Sequence, residues 1–288
     1  MKKNRMHSWK ELFLNYGILI LCYFIVQFFL HSGSVSSLMK GLLVPLCIYS
    51  ILAISLNLVV GISGELSLGH AGFMCVGAFS SATCSMLLKG SGFPPILLFC
   101  IALFVGALSA GVLGILIGIP VLRLKGDYLA VATLGVSEII RIFIINGGSL
   151  TNGAAGILGI PNFTNWQMVY LFVVITTIAT LNFLRSPIGR STLSVREDEI
   201  AAESVGVNTT KIKIIAFVFG AITASIAGSL QAGFIGSVVP KDYTFINSIN
   251  VLIIVVFGGL GSITGTIVSA IVLGILNMLL QDVASVRM

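Results

Sequence analysis

Charge is what this sequence has least of. Only 9% of its 288 residues are Asp, Glu, Lys or Arg, against about 25% in a soluble domain. A chain this poor in charge cannot cover a water-facing surface, so lipid is its main solvent. The strings that carry common chemistries are missing too. No Gly-x-x-x-x-Gly-Lys-Ser/Thr loop occurs, which excludes P-loop ATP hydrolysis by the chain itself. Neither a His-Glu-x-x-His pair nor a Gly-x-Ser-x-Gly elbow is present. Cys22, Cys47, Cys75, Cys84 and Cys100 lie in or beside apolar runs without metal-site spacing, and read as small buried hydrophobes. No catalytic residue, metal site or cofactor is therefore expected. The net charge of +6 sits between apolar runs and not on one soluble face, which argues against nucleic acid as a partner.

What is there is apolar sequence, 57% of the chain. Runs fall near residues 15–30, 38–60, 66–88, 95–122, 127–146, 166–184, 213–235 and 247–281. The last is interrupted by Gly258-Gly259-Leu260-Gly261, and reads either as two spans or as a short helix and a full one. The run from Tyr16 to Leu30 is long for a signal peptide, and His31-Ser32-Gly33 after it is no cleavage site. The expected fold is all-α: one polytopic membrane bundle over residues 1–288, with about eight or nine spans and Gly-broken helices.

Charge placement orients the bundle. With the N-terminus inside, segments 1–14, 61–65, 123–126 and 185–213 carry Lys2, Lys3, Arg5, Lys10, Arg123, Lys125, Arg185, Arg190, Arg196, Lys211 and Lys213. The opposite side holds only Lys89 and Lys241, with Lys40 near a span end. Basic loops stay in the cytoplasm, so this orientation is the expected one.

Three polar features stand out. The inner loop 185–213 predicts a helix of about three turns with Ser194 as N-cap, Glu197 completing a capping box, and Gly206 closing it. Glu197, Asp198 and Glu199 suit the positive end of its dipole, and Ala201 and Ala202 favour helix. With its small apolar face of Ile200, Ala201 and Val205, it is either a solvated connector or a docking element for a soluble partner. The second feature runs from Gly61 to Phe73, where Ser63, Glu65, Ser67 and His70 stand among glycines at a membrane boundary, Gly69 included. Gly-interrupted helices can expose backbone along a polar path, so this cluster is either structural or part of a translocation or gating element. The third is Glu138 and Arg141, spaced to pair on one helix face inside an apolar stretch. They form either a structural ion pair joining helices or a proton relay.

Several long strings, in order, make the chain resemble the permeases of branched-chain amino acid ABC importers. They are Gly61 to Ala78, Arg123 to Ala130 with Thr133-Leu134-Gly135 and Glu138 to Arg141, Leu150 to Pro161, Ser186 to Gly206, and Gly258 to Ser262. The resemblance implies passage of a small polar solute, driven by ATP bound and hydrolysed on two partner ATPase subunits. It also implies a second permease subunit as a heterodimer partner, an extracytoplasmic solute-binding protein and a multi-pass place in the bacterial inner membrane. Ser194, Arg196, Glu197, Asp198, Glu199, Ala201, Ala202 and Gly206 become the ATPase-coupling residues. Ser63, Glu65, Ser67, Gly69, His70, Thr151, Asn152 and Gly153 become candidates for the translocation path. Two positions depart from the family pattern: Glu65 stands where Gln is frequent, and Asn152 where a second Gly is common. Related permeases for urea, nucleosides or sugars share the architecture. An ion-coupled secondary transporter, with Glu65, Glu138 or His70 as its proton site, is the competing class. The resemblance further implies a final apolar helix beyond Met288.

Overall fold

The computed structural model describes residues 37–89 and 94–284, together with Gly17, Gln27 and Gly92. The expected first span at 15–30 lies outside the described residues. Each later apolar run contains a helix. The helices are α1 (Ser37–Asn57), α2 (His70–Leu87), α3 (Pro95–Val121), α4 (Asp127–Ile145), α5 (Trp166–Arg185), α6 (Pro187–Glu197), α7 (Glu199–Ser204), α8 (Thr209–Ile235), α9 (Phe245–Gly258) and α10 (Ile263–Ala284). Among the described residues, five helical stretches are long and apolar enough to cross a membrane: Gly41–Ile62, Pro95–Val121, Asp127–Ile145, Trp166–Arg185 and Thr209–Ile235. The fold is thus the helical membrane bundle the sequence predicts.

The long run at 247–281 resolves into the 14-residue α9 and the 22-residue α10. Gly259 and Gly261 between them take φ values of 88° and 84°, a region closed to most side chains. The break is therefore written into the residues. A second break follows α1, which continues into a π-helical turn at Leu58–Ile62. Ser63 N–H bonds the Leu58 carbonyl at 3.0 Å and Glu65 N–H bonds that of Val59 at 3.1 Å. Residues 64–69 are then non-helical until α2 begins at His70.

Helix α8 lies at the centre, packed on α1, α2 and α3. Small residues permit this. A Cβ added at Gly228 would run into the Met74 carbonyl of α2, and one at Gly77 into Ser225 of α8. On α3, Cβ atoms at Gly106, Gly114 and Gly118 would meet Ser229, Ala221 and Phe217 of α8. Backbones this close gain dispersion and polar contacts in a solvent that supplies no hydrophobic drive between helices. Phe73 and Phe217 cross edge to face at 5.3 Å within the same α2–α8 seam. Of the cysteines, Cys75 is buried, Cys47 and Cys84 are half-buried, and Cys100 is exposed on α3. The expectation of uniform burial is corrected there, because Cys100 faces away from α8; Cys22 lies outside the described residues.

Among the described residues, a two-stranded pairing departs from an all-helical layout. Strand β1 (Ile157–Leu158) pairs antiparallel with β2 (Ser237–Val238), in the register Ile157 with Val238 and Leu158 with Ser237. The pairing satisfies backbone groups of two connecting segments at the same end of the bundle. A Cβ at neighbouring Gly156 would strike the Val238 carbonyl, so this approach requires glycine.

Candidate functional site

The two helix breaks meet at one end of the bundle, and a single residue joins them. Asn57, the last residue of α1, donates from Nδ2 to the Ser262 carbonyl at 3.0 Å and to Thr266 Oγ1 at 2.8 Å. Its Oδ1 accepts from Gly261 N–H at 2.8 Å. A Cβ on Gly61 would collide with Gly261 N and with Asn57 itself, so the breaks touch backbone to backbone.

Residues 185–208 lie against this junction, and here the helix expected from Ser194 to Gly206 is corrected. It is two helices. Ser186 caps α6 by accepting from Gly189 N–H at 3.1 Å, with Pro187 at the first helical position. That start places Ser194 in the last turns of α6, where its hydroxyl donates to the Ser191 carbonyl at 2.8 Å. The true cap of α7 is Asp198, extended at φ −157° and ψ 109°, which accepts from Ala201 N–H at 3.0 Å. Asp is as good a cap as Ser, and the upstream Ser-Pro start had already used the preceding residues. Gly206 follows α7 as expected, with φ 87°. Ala202 is buried, whereas Ile200 and Val205 are 81% and 78% exposed.

Charged side chains tie these helices to the α1 break. Arg196 of α6 donates from Nη1 to the Gly61 carbonyl at 2.6 Å and pairs with Glu197 at 2.8 Å. Its stem lies where a Cβ on Gly64 would be. Glu199 of α7 and Glu65 of the broken segment share one ammonium. Lys213 Nζ is 2.8 Å from Glu199 Oε1 and 2.9 Å from Glu65 Oε1. Lys125, from the α3–α4 connection, takes the other Glu199 oxygen at 2.9 Å. The hydrogen bond from Lys213 holds the Glu199 carboxyl below the usual carboxylate range, while burial pushes that of Glu65 up against the pull of Lys213.

The remaining polar residues of the broken segment turn into the chain's own interior. Ser63, Ser67 and His70 are buried. His70 Nε2 lies 2.6 Å from Ser55 Oγ, which also bonds the Gly220 carbonyl at 2.7 Å and accepts from Thr223 at 2.8 Å. Among the described residues, Ser63 Oγ, Ser67 Oγ and His70 Nδ1 have no hydrogen-bond partner. Gly69 abuts α4, where a Cβ would press on the Thr133 backbone, and Leu68 N–H bonds Thr133 Oγ1 at 2.9 Å.

Thr151, Asn152 and Gly153 lie apart from this cluster. Thr151 Oγ1 donates to the Ile144 carbonyl at 2.6 Å, and Asn152 Nδ2 to that of Gly156 at 3.0 Å. Asn152 has φ 56°. Asn is among the few side-chain-bearing residues that tolerate this left-handed geometry, which accounts for its presence where glycine is common. Glu138 and Arg141 pair within α4, with Oε2 at 2.8 Å from Nε and 2.7 Å from Nη2. The structure therefore puts the pair along one helix and not between helices.

The structure thus brings Glu65, Arg196, Glu197 and Glu199 together, and leaves Thr151–Gly153 and Glu138–Arg141 elsewhere. Asn57, Lys125 and Lys213 are the residues of this site that sequence reasoning missed as such. Asn57 is a lone amide among apolar neighbours, and Lys213 a lone cation just inside a helical apolar run. Among the described residues no group of three or more His, Cys, Asp or Glu side chains could hold a metal ion.

A family described as "Branched-chain amino acid transport system / permease component" matches residues 38–287. The chain is 38% identical to the high-affinity branched-chain amino acid transport system permease protein LivM of Escherichia coli, over 82% of this chain and 62% of LivM. It is 28% identical to the permease protein LivH of the same organism, over 80% of this chain and 81% of LivH. The ribose import permease protein RbsC of Haemophilus influenzae is 25% identical over 82% of this chain and 75% of its own length. The chain therefore spans about three fifths of the length of the LivM relatives it matches. No solved structure matches.

Proposed function

The chain belongs to the family of branched-chain amino acid transport permeases, and from that membership we propose that it is the permease subunit of an ATP-driven importer for branched-chain amino acids. The observation that carries the proposal is the short helix α7. It is capped at Asp198, exposes Ile200 and Val205, and is tied by Glu199 and Arg196's neighbouring helix to the broken segment. An apolar ridge with a polar rim is the form a docking helix takes when it enters a groove of a partner. In this reading ATP is bound and hydrolysed by two partner ATPase subunits, and Ile200 and Val205 enter a groove on one of them. The bias of Arg and Lys towards the connections at this end supports a cytoplasmic orientation for it, and in this reading the N-terminus is inside and the chain sits in a bacterial inner membrane.

Both LivM and LivH resemble this chain, which supports a heterodimer with a second permease of the same family. An extracytoplasmic solute-binding protein supplies high-affinity recognition. The chain itself supplies no energy, so each state of the path must be stabilised by different contacts with the ATPase dimer. An ion-coupled mechanism is less well supported, because the carboxylates of Glu138 and Glu65 are each already paired with a cation. The Gly61–His70 segment, with its buried hydroxyls, and the Thr151–Gly153 loop are proposed to adjoin the path. The relation to a ribose permease makes a sugar the second candidate solute.

Affinity purification of the tagged chain from native membranes tests this. The expected result is stoichiometric recovery of an ATPase subunit and a second permease. Recovery of the chain alone, from membranes in which it supports leucine uptake, contradicts it.

A further inference from the structure

We propose that Lys213 is the positioning residue through which a displacement of helix α7 reaches the broken segment Gly61–His70. The inference rests on the transport reading above and goes beyond it by naming the link inside this chain. It starts from how little apolar contact α7 makes. The helix has six residues, and Ala202 is its buried one. Ile200 and Val205 point away from the bundle. A lever with so small an apolar foot cannot transmit a push by side-chain packing alone.

The polar contacts provide what packing does not. Lys213 is enclosed, with 8% of its side chain exposed, and its ammonium stands between Glu199 of α7 and Glu65 of the broken segment at 2.8 and 2.9 Å. The two carboxylates belong to different elements, so one cation fixes their relative position. Lys125 braces Glu199 from the far side at 2.9 Å. A movement of α7 that draws Glu199 away must carry Lys213 along or leave it to Glu65 alone. Separating ions in an enclosed site is far more costly than at a surface, so the ammonium follows. Arg196 makes a parallel link from α6 to the Gly61 carbonyl at 2.6 Å, and Gly61 in turn touches the α9–α10 break. The α1 break is therefore held to the α6–α7 pair by two cationic side chains, through an ion pair at Glu65 and a charge-assisted hydrogen bond at Gly61.

The test compares variants of the complete importer, reconstituted in proteoliposomes with its binding protein, with leucine as the probe. Lys213→Met alone would strand the Glu65 carboxylate, so the informative variant is Lys213→Met combined with Glu65→Gln. It removes both charges at once and leaves Glu199 paired with Lys125. The expected outcome is wild-type recovery of the ATPase subunits with the ratio of leucine moved to ATP hydrolysed down about tenfold or more, within the usual span of coupling energies. Lys213→Arg, which retains the cation, should recover most of that ratio. A wild-type ratio in the double variant overturns the proposal. So does loss of the ATPase subunits from it, which would make Lys213 a structural anchor, and so does an arginine variant no better than the double one. A wild-type chain that brings down no ATPase defeats the transport reading first, and is thereby distinguished from failure of the link alone.

Discussion

At Lys213 one buried cation serves two acids, and this makes the consequences of its removal unequal. Lys213→Met leaves Glu65 enclosed without a partner. Breaking a buried pair in this way costs roughly 3–5 kcal/mol. Glu65→Gln leaves Lys213 with Glu199 and replaces a charged acceptor by a neutral one, at a cost of about 1 kcal/mol. Thermal unfolding of the detergent-purified protein should show a large fall in Tm for the first variant and a small one for the second. Equal falls would mean that Glu65 and Lys213 are not the pair described. Little of this was legible in the sequence. Glu65 could be seen as a departure from the family's Gln, but its compensating charge lies far along the chain, and no local pattern links the two. Asn57 was overlooked for the same reason. An amide in an apolar run carries no spacing rule, and its three hydrogen bonds exist only once the α9–α10 break is folded against it.

Among the elements, the α6–α7 pair shows how overlapping local patterns mislead. Ser194 and Glu197 satisfy the spacing of a capping box, yet Ser186-Pro187 starts a helix eight residues earlier and carries it through Ser194. The chain then breaks at Asp198, whose carboxylate caps α7. The two candidate caps therefore predict different mutants. Asp198→Ala should weaken α7 by about 1 kcal/mol and reduce recovery of the ATPase subunits. Ser194→Ala, which loses only a bond to the Ser191 carbonyl, should leave recovery unchanged. The reverse order would restore the single-helix reading. A stronger perturbation is Ala202→Pro. Ala202 N–H bonds the Asp198 carbonyl at 3.0 Å, and proline removes that donor at a local cost of about 3 kcal/mol. Membrane levels of the chain should hold, because the spans on either side are untouched, while leucine uptake is lost. Uptake at the wild-type rate in this variant would reduce α7 to a connector. The glycine-marked breaks, by contrast, were legible: Gly61–Gly64 and Gly258–Gly261 interrupt apolar runs, and the helices stop there.

The whole molecule is organised by how closely α2 and α3 approach α8. The small-residue spacings Gly106–Ala110 and Gly114–Gly118 suit close helix packing, and their glycines face α8. Which helix they would face was not readable, because lipid-exposed and buried stripes are equally apolar here and hydropathy does not separate them. Gly228→Leu should separate α8 from the Met74 carbonyl and lower folded yield severely, whereas Gly135→Leu, where a Cβ meets nothing within 4 Å, should be tolerated; fluorescence-detected gel filtration of both variants checks this. Around that closely packed centre stand two helix breaks and one short helix with an exposed apolar face. In the proposed function, solute movement through this bundle is powered by ATP on partner chains and by no ion gradient. The most direct measurement is leucine uptake by proteoliposomes holding the purified importer and its binding protein. Uptake is expected with ATP at the ATPase face and no ion gradient, and none with a proton or sodium gradient and no ATP. Gradient-driven uptake by this chain without ATPase subunits would contradict it.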